Sequence, residues 1–271
     1  MGEEGLRRRK VRAILIVAAL LCLVVAGFER RAIQRSPSYH PYLSDVTLIT
    51  DVGDAGTVAI LALLGGFRGA AANLLWLRSD YYWHMEATGW WKMRPIFDAI
   101  TRLDPQFILA WRTFGWHVAW NLHADAPPED KPKFLKEGEM IFRRGIHANP
   151  KSWEMRMELA WLFHDRIRDP EKAIPLWKDT IRMPKAPIYN WHMLAHAYER
   201  TLQWQKSLQV WQEVLKKDPG NPVARRYADM WERLQNDPQG LKKELRTIWE
   251  AEQAMRRSRG IPPQPLPPAI R

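Results

Sequence analysis

Three Asp/Asn-Pro steps set the strongest limit on what this chain can fold into. "RLDPQF" (102–107), "HANPKS" (147–152) and "KKDPGN" (216–221) each close an apolar-periodic stretch. A proline cannot continue a helix, and it pushes the residue before it out of the helical region. Each step therefore ends one helix and starts a new turn. Pro150 and Pro219 lie 69 residues apart, two units of about 34, and Pro105 and Pro150 lie 45 apart, one such unit plus about 11. A period of this length with helical patterning is the mark of stacked helix-turn-helix units, each too small to bury its own apolar face.

The residues inside the period fit that reading. Ile188 to Asn221 is the clearest unit, with Trp191, Leu194, Ala195 and Tyr198 on a first helix and Ser207, Trp211, Val214 and Pro219 on a second. Small residues let two helices approach, and large ones interdigitate across the contact. Trp153 to Pro187 is a second unit, carrying Leu159, Ala160 and Phe163, then Ala173 and Trp177, with about one extra residue in its "RIRDPEK" turn. Ile108 to Ser152 is a third, with Trp111, Phe114, Gly115 and Val118, then Gly138, Phe142 and Pro150. Its extra residues fall in Asn121 to Lys133, whose Pro, Asp and Lys content predicts an exposed loop. Ala71 to Gln106 is a degenerate first unit.

This residue pattern resembles the tetratricopeptide repeat. The resemblance implies an all-α solenoid of about four helix-turn-helix units over 58–236, with capping helices after it. It also implies a concave groove that binds peptides. With Ile188 as position 1, the groove positions in this family fall on Tyr189, His192, His196, Glu199 and Arg200. One unit earlier they fall on Glu154, Met157, Trp161 and His164, and before that on Arg112, Trp116 and Trp120. By the same register Trp111, Trp177, Trp191 and Trp211 belong to the core.

His192, His196 and Glu199 also admit a second reading. Their i, i+4, i+7 spacing puts them on one helix face, and two histidines at i, i+4 can share a zinc ion. A metal-dependent enzyme is thus an alternative. However, "HMLAH" lacks the internal glutamate of the zinc-protease motif. No nucleophile signature, phosphate loop or dinucleotide fingerprint is present in the sequence. The primary expectation is a binding protein without cofactor or bound metal.

The flanks set the context. Residues 1–12 are basic, and Ala13 to Phe28 run 16 residues without a charge between arginine flanks. That is slightly short of the roughly 17–20 residues a bilayer asks for, and Val11 with snorkelling arginines can extend it. The expected element is a single-pass anchor at 13–28, with a cleaved signal peptide as the alternative. More basic residues precede the run than follow it, which favours the bulk of the chain on the extracytoplasmic side, periplasmic if the source is bacterial. Cys22, the sole cysteine, excludes a disulfide framework.

Of the net charge of +11, residues 1–35 contribute +5 and residues 237–271 contribute +3. A mostly terminal charge argues against a nucleic-acid-binding core and for anionic lipid near the N-terminus. Residues 29–57 form a linker. Gly56 to Leu77 is a second apolar stretch, but Gly65, Gly66 and Arg68 at its centre favour buried helices over a membrane hairpin. Residues 237–260 read as an amphipathic helix, and 261–271 as a proline-rich tail that is extended and mobile. The expected function is a membrane-anchored scaffold or assembly factor. The other alternative is a structural subunit of a larger membrane complex.

Overall fold

The computed structural model describes residues 68–83 and 89–270. The anchor at 13–28 and the linker at 29–57 lie outside the described residues, as does the first part of the stretch 56–77. Among the described residues every regular element is helical, and no helix is long and apolar enough to cross a membrane.

The chain divides at Phe107 into two compact units. In the first, α1 (Arg68–Trp83) packs on α2 (Gly89–Leu103). Trp76 sets its edge against the buried Phe97 at 6.0 Å and tilts onto Phe107 at 5.4 Å. Arg68 donates to the carbonyl of Arg102 at 3.0 Å. Trp90 and Trp91 fall in the first turn of α2.

The second unit is a sequential stack. Its helices are α3 (Ile108–Trp116), α4 (Lys131–Ala148), α5 (Trp153–Trp161), α6 (Pro170–Ile181), α7 (Tyr189–Arg200), α8 (Trp204–Lys217), α9 (Pro222–Leu234) and α10 (Pro238–Ser258). From α7 through α9 each packs mainly on its predecessor and successor in the chain. Local sequence explains where they start. Asp169-Pro170, Asn221-Pro222 and Asp237-Pro238 each place a capping side chain before a proline at the first helical position. The caps accept from Lys172 N at 3.1 Å, Ala224 N at 3.0 Å and Gly240 N at 2.9 Å. Proline loses nothing there, because that N–H has no intrahelical partner anyway.

The 34-residue period is written in the backbone as well as the side chains. Trp177 and Trp211, 34 apart, are both fully buried. Arg168 and Leu202, also 34 apart, end their helices in the left-handed region at φ 59° and 58°. Upstream of that point the offset is 35, as between Leu159 and Leu194 or Phe163 and Tyr198. The additional residue therefore enters between Phe163 and Arg168, overlapping the start of the "RIRDPEK" turn. It is absorbed inside the helix, where Leu162–Ile167 form a π-helical turn that takes one residue more per turn. Asp169 N accordingly reaches back six residues to Phe163 O, where the equivalent Gln203 N reaches back five to Tyr198 O, both at 2.8 Å.

The preceding unit uses the same device. A π-helical turn at His117–Leu122 extends α3, and His123–Asp125 continue as helix. The loop expected over Asn121 to Lys133 thus shrinks to residues 126–130.

Close approach depends on glycine at two places. A Cβ on Gly138 would lie 2.6 Å from Cβ of Ala119, and one on Gly115 would lie 2.2 Å from the ring of Phe142. The far end of the stack closes over Trp211, Val214, Ala224, Ala228, Trp231 and Leu245, all buried.

The proline-rich tail is not the mobile segment expected from composition. Leu266 packs on this terminal core and Ile270 is fully buried in it. Gln264 N donates to Oε1 of Gln253 at 2.6 Å, and Arg256 Nε donates to Pro262 O at 2.9 Å.

Candidate functional site: one open and one covered face

The register-assigned residues divide into three groups. The first is built on α3 and α5. Glu158 is buried on α5, with its carboxylate facing α3. Arg112 Nε donates to Oε1 at 2.7 Å and Trp116 Nε1 donates to Oε2 at 2.8 Å. Trp116 is held by this bond yet remains 42% exposed. Its indole stacks on Trp120 at 4.3 Å and 16°. Trp120 itself is buried, edge-on to Phe142 at 6.3 Å, with the guanidinium of Arg166 5.6 Å from its ring. Trp161 continues this aromatic series on α5. It lies 6.0 Å from the exposed Tyr189 and edge-on to Trp177 at 6.3 Å. Burial, with the nearby Glu158 charge, raises the Tyr189 hydroxyl to about 12, so the phenol stays protonated at neutral pH. Glu154 accepts from Ser152 Oγ at 2.7 Å, and Met157 is half-buried on the same helix.

The second group turns inward. Glu199, expected on the groove, is buried and serves as a joint for three helices. Its Oε1 accepts from Ser207 Oγ at 2.8 Å, Trp211 Nε1 at 3.0 Å and Trp231 Nε1 at 3.1 Å. Its Oε2 lies 2.7 Å from Nδ1 of His196. Burial would raise this carboxyl. The hydrogen bond and charge of His196, with the bonds from Trp211 and Ser207, outweigh it and hold the pKa below the ordinary value.

His196 stands edge-on to both Trp211 and Tyr227, at 5.1 and 5.0 Å. Trp211 and Tyr227 stack on each other at 5.0 Å. His192 also faces Trp211 at 5.1 Å, and burial with the neighbouring His196 lowers its pKa. The zinc alternative is corrected by this arrangement. His196 and Glu199 engage each other, both glutamate oxygens are taken by protein donors, and among the described residues no cluster of three or more His, Cys, Asp or Glu could hold a metal ion.

The third group, His164 and Arg200, is covered by the chain's own C-terminus. His164 is buried, and burial together with the charges of Arg200 and Arg168 lowers its pKa to about 2, so it is neutral. Its carbonyl accepts from Arg200 Nη1 at 2.8 Å. Beside it, Arg168 and Glu252 form a two-pronged ion pair, both all but inaccessible. Nε donates to Oε1 at 3.0 Å and Nη2 donates to Oε2.

The sequence reading missed Glu158, Arg168, Glu252 and Trp231. The one local sign at Glu158 is its place between Met157 and the apolar run Leu159-Ala160-Trp161. The partners of Arg168 and Glu252 are 84 residues apart, with no local signal at all. Of the core tryptophans, Trp111, Trp177 and Trp211 are buried as expected. Trp191 is only half-buried, with Lys217 Nζ 4.9 Å from its ring.

No family model matches this chain, and no curated protein matches it. Solved structures do. A thermophilic tetratricopeptide repeat protein of Thermus thermophilus is 15% identical over 63% of this chain and 93% of its own, at a TM-score of 0.42. YrrB, a repeat protein with an unusual peptide-binding site, is 13% identical over 72% and 91%, at 0.43. The MamA protein is 12% identical over 75% and 100%, at 0.45. The fold is a tetratricopeptide-like helical repeat, as its own 34-residue recurrence of buried tryptophan and left-handed helix end shows.

Proposed function

We propose that this chain is a protein-interaction scaffold whose open face, over α3, α5 and the start of α7, receives a peptide segment of a partner protein. The observation that carries the reading is Trp116. Its indole is exposed yet fixed by a buried carboxylate and by stacking on Trp120. A large apolar group on the surface costs solvation, and one pre-set in a single orientation loses little entropy on contact. Trp, Tyr and Arg are the residues that most often anchor interfaces. Arg112, Trp116, Trp161 and Tyr189 supply all three types. The role is binding rather than catalysis, since the carboxylates of this face are engaged with neighbouring side chains rather than presented to a substrate.

Residues 13–28 would anchor the scaffold in a membrane, with the repeats on the extracytoplasmic side and the arginine flanks at the lipid surface. The partner is then a component of a membrane-associated complex.

Capture from native membranes tests this, comparing wild type with Trp116→Ala and Tyr189→Ala. Partners recovered by wild type should fall at least tenfold with either variant, while circular dichroism and melting stay close to wild type. Equal recovery by all three proteins would refute the open face as the site. The structural-subunit reading has one observation of its own, the exposed Leu74 and Leu77 on α1. It requires that partners be lost with Leu74→Ser or Leu77→Ser instead.

A further inference from the structure

The terminal helix α10 does more than close the stack. A cap has only to cover the apolar end of the last repeat. The first part of α10 does this, with Leu241, Leu245, Ile248 and Trp249 packed on the Trp211–Trp231 core. From Glu252 onward its contacts change partner and character. They go back to the end of α5 and to α7, as far as 94 residues earlier in the chain, and they are polar.

Glu252 pairs with Arg168 and lies 3.8 Å from Arg200 Nε. Arg256 Nη1 donates to the carbonyl of Arg168 at 2.9 Å. Arg259 Nη2 donates to Oδ1 of Asp165 at 3.1 Å, and its Nη1 donates to the Asp165 carbonyl. The helix thus crosses the face that the repeat register assigns to a ligand, at His164 and Arg200.

The seat is specific. Arg168 and Leu202 occupy the same register position, with the same left-handed backbone. Nothing in the repeat itself demands arginine there. On the array side the seat holds Arg166, Arg168 and Arg200 against one acid, Asp165. Burial and the charge of Arg168 pull Arg200 down to about 10, against the raising effect of Glu252. An uncovered seat of this kind needs a carboxylate, and Glu252 supplies it.

We propose that the Arg168–Arg200 seat is a docking site for an amphipathic helix bearing a carboxylate. It is held shut in cis by α10, and a helix of the same chemistry from a partner exchanges with α10. Charge-based contacts suit such an exchange, because the groups released on opening are readily hydrated, and the apolar cap around Trp231 need not open with them. Arg166 also lies over Trp120, but the groups that hold α10, Arg168, Arg200 and Glu252, are not those that hold Trp116, so Trp116→Ala should leave this site's behaviour unchanged, and failure of one leaves the other standing.

The probe is a fluorescent peptide of residues 238–271, added to the full chain in detergent. Glu252→Ala removes the internal carboxylate and leaves the seat intact. The peptide should bind this variant at least tenfold more tightly than wild type. Binding should be lost when the peptide itself carries Glu252→Gln, or when Arg168→Met is added to the chain. Amide exchange over 252–258 should accelerate at least tenfold in Glu252→Ala while α7 and α8 stay protected.

Equal peptide binding to wild type and Glu252→Ala, or none to either, overturns the proposal. So does binding that ignores the glutamate of the peptide. Should Glu252→Ala fail to fold, a protease site inserted at 235–237 leaves every buried group native. After cleavage the 238–271 fragment should exchange with its labelled copy, and a fragment that never exchanges overturns the proposal equally.

Discussion

The open face at Trp116 and the covered face at Arg168 are built from the same chemistry put to opposite ends. Each centres on a buried glutamate that receives an arginine and stands at a helix junction. At the open face the carboxylate, Glu158, belongs to the array and its partners come from α3, two helices earlier. The result is an indole displayed to solvent. At the covered face the arginine belongs to the array and the carboxylate, Glu252, arrives on a helix from the far end of the chain. The result is a surface closed off. A buried ion pair does little for net stability, so what these pairs supply is placement. One displays a side chain and the other positions an entire helix.

The largest expected effect breaks that symmetry directly. Arg168→Leu places at this position the residue found at the equivalent Leu202, so the backbone tolerates it. It leaves Glu252 buried with only the more distant Arg200, at 3.8 Å, to face it, at a cost of about 3–5 kcal/mol. Urea unfolding should show this loss, and a loss below about 1 kcal/mol would mean that the covered face is held by apolar contact alone.

A smaller effect follows acid. His164 lies under the covered face with its pKa lowered to about 2 by burial and by Arg200 and Arg168. An unfolded histidine titrates at about 6.5. Below that pH the unfolded chain binds a proton that the folded chain refuses. Stability is therefore lost as pH falls from about 6.5 toward 2, by about 1.4 kcal/mol per unit. Burial lowers His117 and His123 to about 4 as well, and they act in the same direction. His164→Gln isolates the larger share, and its urea midpoint should depend less on pH than that of wild type between 7 and 5.

Gly138→Ala probes the support beneath the open face. The added methyl would meet Ala119 at 2.6 Å, and forcing α3 and α4 apart should cost about 1–3 kcal/mol. Thermal melting measures this, and no change would mean that the helices are free to separate.

Arg112→Ala should cost least, about 1 kcal/mol or under. Its side chain is 38% exposed, the pair is screened by water, and Trp116 still donates to Glu158. The comparison of Arg168→Leu with Arg112→Ala is the sharpest test of the contrast, because the same ion pair chemistry should differ severalfold between the faces.

The sequence announced the repeat because the repeat is local. Prolines, small residues and tryptophans at fixed spacing follow from the packing of neighbouring helices, so Trp177 and Trp211 were legible as core. The register also placed Trp116 and Tyr189 on an accessible face. It failed at Glu199, where the position reads as surface but the donors Ser207, Trp211 and Trp231 come from two later helices.

It failed again over His164 and Arg200, because a register describes a face and says nothing of what lies across it. That cover depends on Arg168 and Glu252 meeting, which neither residue signals locally. The tail misled for a compositional reason. Its prolines do bar a helix over most of its length, but Leu266 and Ile270 between them carry enough apolar surface to dock it.

The π-helical turn at Leu162–Ile167 has a bearing on how such a chain tolerates change. In an α-helix each residue advances the helix by about 100°, so losing one residue rotates everything beyond it off its contacts. Here the helix already holds one residue beyond its 34-residue measure. Removing a single residue from this turn would restore an ordinary helix and leave Trp177 and all later units in phase. The turn is thus a slack link in a tightly geared chain, one of two such turns among the described residues, where its length can drift by one without the array losing step.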